Sequence, residues 1–471
     1  MVGTSHFSGR RKALWIGILG TFSAVGLLLS NAGAGKNRLL FPKQTGPRLI
    51  SIQPLPEMQG PMCEWVPASA SMTLAAALQQ ERLAAAAPGA RPDEAVRLAA
   101  SQRKPERIIR DPYMAYSSVA VDHVNNEVVM TDENLFQIVF YDRLANTPAS
   151  ATMTEPKRII GGKNTKIEFQ CGVYVDPDSG DVYAVNNDTQ DTLVIFSRQA
   201  KGDVPPDREL ATPHGTFGIA VDEAAQELFL TVQHYHSVVV YNKMAQKDQS
   251  PIRLLQGDRT LLADPHGIAL DPNNKLMFVT NHGSVAQQAR GGRSRSSGGN
   301  RGEGKSNWPL DGPVPGSGKH LPPSITVYAS NAQGDTAPLR VIQGPKTQLN
   351  WPTGIAFNPK RNEIYVANDM GDSILVLSGA ASGDVAPVRV LKGPKTLIAN
   401  PTGVHYDAHN DELWVTNFGN HTATVYKPTA EGNTAPLRVI RSSPLSEEAL
   451  NIGNPGALTY DTKREEIIAP N

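Results

Sequence analysis

One phrase recurs along this chain at intervals of about fifty residues. Its copies are Trp351-Pro-Thr-Gly-Ile-Ala-Phe-Asn358, Asn400-Pro-Thr-Gly-Val-His-Tyr-Asp407, Asp264-Pro-His-Gly-Ile-Ala-Leu-Asp271 and Gly215-Thr-Phe-Gly-Ile-Ala-Val-Asp222. A polar turn and a second apolar run follow each copy, at 363–368, 412–417, 227–231 and 276–281, and then a third, as at 373–377, 423–426 and 237–241. Gly-Asp/Asn-x-Ala-Pro-x-Arg-x-Ile/Leu closes the unit at 334–342, 383–391 and 432–440. Short β-branched and aromatic runs between Gly, Pro, Asn and Asp turns predict four strands per unit. Such a small sheet buries its faces only against its neighbours, so the units must form a ring: an all-β chain folded as a β-propeller. A solenoid would show helices or single strands in each repeat.

Second-run ends at Asp132, Asn186, Val232, Asn281, Asn368, Asn417 and Asn471 predict a seven-bladed propeller over residues 105–471. The wide step between Asn281 and Asn368 holds a Gly-, Ser-, Arg- and Pro-rich stretch, 287–323, which reads as a disordered insertion within a blade rather than a missing blade. The last unit has two strands only. Its partners are expected from the N-terminus, with 105–109 as fourth strand and 48–52 as third, which would cover exposed edges and fasten the ring. A six-bladed ring with a loose C-terminal pair is the alternative. Within the N-terminal segment 35–104, residues 72–86 and 92–101 are rich in Ala, Leu, Gln, Glu and Arg and predict two short helices, as a cap or a spacer.

Arg10, Arg11 and Lys12 precede an uncharged apolar run, 13–29, and an Ala32-Gly33-Ala34 site, so residues 1–34 read as a signal peptide or an N-terminal anchor. The protein is then exported, periplasmic, secreted or anchored facing outward, and touches the membrane only through 13–29 if uncleaved. Lys+Arg of 45 against Asp+Glu of 45 removes the electrostatic argument for nucleic acid. Arg290 to Arg301 resembles an RGG tract, but neutral charge and export argue for a solvated loop. Two cysteines, Cys63 and Cys171, make no disulfide framework or zinc motif; Cys171 reads as a small buried residue and Cys63 as a thiol that could pair with another chain.

The composite phrase Pro-x-Gly-Ile-Ala-x-Asp, Glu-Leu-x-Val-Thr-Asn-x-Gly-Asn-His, Val-Tyr resembles the NHL repeat, over about 118–471, and the chain is similar to NHL-repeat and YncE-like propellers. Asn420-His421-Thr422-Ala423 matches the naming motif best, while Asp372-Ser373-Ile374 and Asp191-Thr192-Leu193 fill the same slot elsewhere. The resemblance implies a propeller fold and a range of roles, from binding scaffolds to lyases and lactonases. In the family's lyases zinc-binding histidines follow Val-Thr-Asp-x-x-x; Thr231-Val-Gln-His-Tyr-His236 approximates that context with Val232 in place of the acid.

His214 and His266 precede a Gly at the start of adjacent units, and His234, His236 and His282 leave the second runs of the same two. His214, His266 and His282 are therefore the candidate ligands of one divalent metal, zinc or calcium. The competing reading makes these turn histidines bonded to backbone. Recurrent Asn or Asp at second-run ends favours a repeated structural task over a cation ring, and Arg158, Arg208, Arg253, Arg340, Arg389 and Arg438 on the fourth runs are expected to pair with acids or stiffen edges. No nucleophile elbow, phosphate loop, HExxH or calcium loop stands out. The expectation is an exported propeller that binds a protein or small-molecule ligand on one face in the cell envelope; the alternative is a metal-dependent lyase or lactonase at the channel mouth.

Overall fold

The computed structural model describes residues 111–187, 190–285 and 319–450, the strands Thr459–Asp461 and Glu466–Ile468, and Ala95, Leu98 and Gln102. The chain divides into two units, Met1–Ala68 and Ser69–Asn471, and every described residue belongs to the second. The expected strands at 48–52 and 105–109 and the residues 13–29 lie outside the described residues. Of the two expected helices only Ala95 and Leu98 fall within them, and both are helical.

Among the described residues, six antiparallel sheets of four strands form the propeller. Their inner strands are Tyr116–Asp122, Gln170–Val175, Thr216–Asp222, Pro265–Asp271, Pro352–Asn358 and Pro401–Asp407, which number blades 1 to 6. In each blade the chain then steps outward, strand by strand. Blade 4 takes its second strand, Leu276–Asn281, and its third, Ser324–Ala329, from either side of the insertion, and they pair directly. The insertion leaves through a short ladder, Ser284–Val285 with Lys319–His320. Both faces of a middle strand are covered by neighbouring blades, so these strands read as unbroken apolar runs; all residues of Glu127–Asp132 and Val182–Asn186 are buried. Fully buried rings such as Phe140, Phe229, Tyr365 and Trp414 fill the wedges between sheets.

The expected seventh blade is absent from the ring. The inner strand of blade 6 packs directly on that of blade 1. Thr402 Oγ1 donates to Tyr116 O at 3.2 Å, Thr147 N–H to Val439 O at 2.7 Å, and Arg143 Nη1 meets Glu412 Oε2 at 2.8 Å. A seventh sheet has no gap to enter. The C-terminal copy of the phrase instead makes a separate two-stranded hairpin, Thr459–Asp461 with Glu466–Ile468. Six blades close because their axial approach is very tight. Every inner strand bulges at its start, and a Cβ on Gly218 or Gly267 would lie 2.3 or 2.4 Å from the next blade's carbonyl oxygen.

Two repeated features sew the blades together. In the Gly-Asp/Asn-x-Ala-Pro phrase the Gly bridges the preceding outer strand, as Gly202 does at Ile160 and Gly383 at Ile342, while Asp203, Asp335, Asp384 and Asn433 accept a backbone N–H of the preceding blade at 2.6–2.7 Å. The fourth-strand arginines pair with the glutamate that opens the second strand: Arg253 with Glu227 at 2.5 and 2.6 Å, Arg389 with Glu363 at 2.8 and 2.7 Å, Arg158 with Glu127 and Arg438 with Glu412. Arg208 turns to Tyr183 Oη instead. Several also reach a carbonyl of the next blade, as Arg340 reaches Gly379.

Candidate functional site at the channel mouth

A channel of about 410 Å3 follows the ring axis, walled by the six inner strands. At the end where those strands finish, the polar groups answer one another. Lys243 Nζ lies 2.6 Å from both Asp176 and Glu223, Tyr174 donates its hydroxyl to Glu223, and Asp407 accepts two backbone N–H groups beside His123. Burial pushes His405 down to about 4 although the Asp407 carboxylate opposes it.

The opposite mouth is built from two registers. The second strands end in Asp132, Asn186, Asn281, Asn368 and Asn417, and these side chains do structural work: Asn281 Oδ1 accepts Ala263 N–H at 3.0 Å, Asn186 accepts Glu168 N–H at 3.0 Å, and Asp132 accepts Ala115 N–H at 2.8 Å. Each ties the loop that enters its own inner strand. The very next residue carries the variation: Glu133, Asn187, Gln233, His282, Asp369 and Phe418 in blades 1 to 6. Two are acids and none is Lys or Arg. Burial pushes Glu133 up to about 8, against hydrogen bonds from Cys171 (Sγ to Oε1 3.6 Å) and Ser117 that favour its ionised form. Burial likewise raises Asp369 to about 6, although Asn400 Nδ2 donates to it at 3.1 Å.

Blade 4 brings three metal-type side chains together. One donor atom from each of Asp264, His266 and His282 lies within 4.8 Å of the others. Asp264 ends the loop into the inner strand with φ of 57°, held by its N–H to His236 Nδ1 at 3.0 Å. His266 Nδ1 is 3.0 Å from Asp264 O and 3.7 Å from Asp264 Oδ1, and His282 Nδ1 is 3.9 Å from Asp264 Oδ2. The imidazoles stack at 3.2 Å between centroids, with Phe217 against His266 and Trp351 against His282. Burial lowers His266 to about 3 and pushes His282 well below the ordinary imidazole range, while it raises Asp264 to about 6. The His282 side chain is 1% exposed, and neither ring nitrogen has a hydrogen-bond partner.

His214 is not in this group. Its Nδ1 lies 3.0 Å from Asp191 Oδ1 and its ring packs on His234 at 4.9 Å. The two Gly residues that suggested equivalence with His266 occupy different registers: the axial Gly of blade 3 is Gly218, so Phe217 matches His266 and His214 lies in the entering loop. Asp264 escaped the sequence reading because the same loop position holds Trp351 and Asn400 in the next blades. The signal that could have found the mouth is the hypervariable register after the constant Asn or Asp. His421, of the best NHL match, is buried between Met114 O, 2.8 Å from Nδ1, and Asp111 Oδ2, 3.3 Å from Nε2, and so has a structural place at the closing seam. Cys171 is buried, as expected.

The fold defines a β-propeller. No protein-family model matches the chain, and no curated protein matches it. Among solved structures it is similar to a chain of hydrazine synthase from Kuenenia stuttgartiensis, with 12% identity and a TM-score of 0.44 over 70% of this chain and 100% of that one. It is also similar to a protein of unknown function from Desulfotomaculum acetoxidans DSM 771, with 15% identity and a TM-score of 0.39 over 64% of this chain and 75% of that one.

Proposed function

We propose that the protein is an exported binding scaffold of the cell envelope, of the NHL-like kind, which takes a small polar ligand or the side chain of a partner protein at the mouth beside Glu133, Gln233 and Asp369. The observation that carries this reading is the contrast between two adjacent registers: Asn or Asp in five of six blades, four of them accepting a backbone N–H, then six different residues at the next position. A purely structural position would repeat with the blades. Uncompensated acids there favour a ligand rich in donors, hydroxyl or ammonium. Export rests on the basic flank, apolar run and small-residue site within residues 1–34, and an alkaline phosphatase fused after residue 60 tests it by its activity.

A thermal-shift screen of sugars, amino acids and polyamines in the presence of a chelator tests the mouth. A ligand that stabilises the wild type and loses its effect in Glu133→Gln/Asp369→Asn, but not in His405→Ala at the far end, is the expected result; the reverse pattern would overturn the reading. The alternative, a metal-dependent lyase or lactonase at the same mouth, is favoured by the grouping of Asp264, His266 and His282. It demands turnover that chelation abolishes.

A further inference from the structure

We propose that Asp264, His266 and His282 form a binding site for one divalent ion of the zinc class, all three ligands coming from blade 4. The inference does not depend on what the mouth binds. Two imidazole nitrogens with one carboxylate suit zinc, cobalt or nickel, whereas calcium takes oxygen ligands only. The geometry is close to what an ion needs. Ligand atoms of a tetrahedral ion at about 2.0–2.2 Å stand roughly 3.3–3.5 Å apart; here Asp264 Oδ1 is 3.7 Å from His266 Nδ1 and Asp264 Oδ2 is 3.9 Å from His282 Nδ1. To bind one ion the two stacked imidazoles, now 23° apart in plane, must rotate so that both Nδ1 lone pairs converge on it.

An independent observation points to an occupant. His282 is buried with both ring nitrogens unpartnered. Leaving a buried polar group unmatched costs about 1–3 kcal/mol, and a metal bond at Nδ1 removes the orphan beside Asp264. Trp351, tilted 36° against the ring with centroids 4.3 Å apart, packs on its side.

The surrounding hydrogen bonds predict how the site is tuned. Asn187 Nδ2 donates to Thr216 O at 2.8 Å and to Gln233 Oε1 at 2.9 Å, so Gln233 turns its NH2 to His266 Nε2, 2.5 Å away. His266 Nδ1 then carries the proton, toward Asp264 O. Metal at Nδ1 displaces that proton and leaves hydrogen on Nε2, where Gln233 presents hydrogen as well. A glutamate at 233 would accept from both Asn187 and His266 Nε2–H, the arrangement that strengthens metal-bound histidines. Gln233 is thus a positioning residue that holds affinity down.

The test titrates the full chain, made without a histidine tag and stripped by a chelator, with Co2+ and then Zn2+. Expected are one equivalent bound, visible cobalt d–d bands of low coordination number displaced by zinc, at least a roughly 100-fold loss in Asp264→Asn and His282→Ala, wild-type affinity in His214→Ala, and about 10-fold tighter binding in Gln233→Glu. Asp264→Asn keeps the side-chain shape, and circular dichroism checks its fold. No bound metal in the wild type, or wild-type affinity in a folded Asp264→Asn and His282→Ala, would overturn the site. Because ligand screening at the mouth is done under chelation, its failure leaves this result untouched, and the reverse holds too.

Discussion

Glu133 follows the second strand of blade 1 and lies against the thiol of Cys171, a residue of the channel wall. Its carboxyl is pushed from the ordinary range up to about 8 by burial first, with Asp132 and Asp369 adding to it. A group with a raised folded pKa binds its proton more tightly folded than unfolded. Its contribution is therefore fully present below pH 4.5 and is lost progressively as pH climbs to about 8. Glu133→Gln removes that loss. The unfolding free energy from urea titration should match the wild type near pH 5 and exceed it by roughly 1–2 kcal/mol near pH 8.5; parallel pH profiles would refute the assignment. His266 and His282 were legible because histidine is rare and both fall beside the repeated phrase. Asp264 and Glu133 were not, since an acid in a loop looks the same whether it faces solvent or an axis. Glu133 is distinguished by its place just after the recurrent Asn or Asp, and Asp264 only by the folded blade, which sets it beside the two histidines.

Within a single blade, the sequence carries nearly everything: strand order, turn chemistry, the Asn clamp and the Arg–Glu pairs follow from one fifty-residue pattern read with elementary rules. The axial glycines show why the pattern is strict. Gly267 has an ordinary backbone, yet a Cβ there would meet Thr353 O at 2.4 Å and Ile355 N at 3.0 Å, both main-chain atoms of blade 5 that cannot step aside. Gly334 is the opposite case, with φ of 62° and nothing within 4 Å. Gly267→Ala should then cost about 3 kcal/mol through overpacking, and Gly334→Ala only about 1–2 kcal/mol through backbone strain. Equal urea midpoints for the two variants would mean that blades 4 and 5 are not pressed together at the axis. The Gly-Asp-x-Ala-Pro phrase was legible as the lead-in to a fourth strand, but not as the latch onto the previous blade, because its partner atoms are backbone N–H groups without a sequence signature.

At the scale of the ring, periodicity counts units without saying which of them join. The C-terminal residues 454–461 and 466–468 repeat the phrase well enough to suggest a seventh blade, yet blade 6 closes on blade 1 through Thr402 with Tyr116, Arg143 with Glu412 and Val439 with Thr147. Blade number is set by the wedge angle between packed sheets, which depends on how deeply the axial glycines allow inner strands to approach. Closure of this kind predicts the outcome of truncation. A chain ending at residue 452 keeps all six sheets and both sides of the closing seam, including the contact of Leu450 N–H with Asp111 at 3.2 Å. Its near-ultraviolet circular dichroism and urea midpoint should stay close to those of the full chain. Arg143→Ala in the full-length protein, which removes one seam contact, should lower stability by about 1–2 kcal/mol. Were the hairpin instead part of the ring, its loss would leave two sheet edges open and the truncated chain would aggregate or lose its near-ultraviolet signal, while Arg143→Ala would change little.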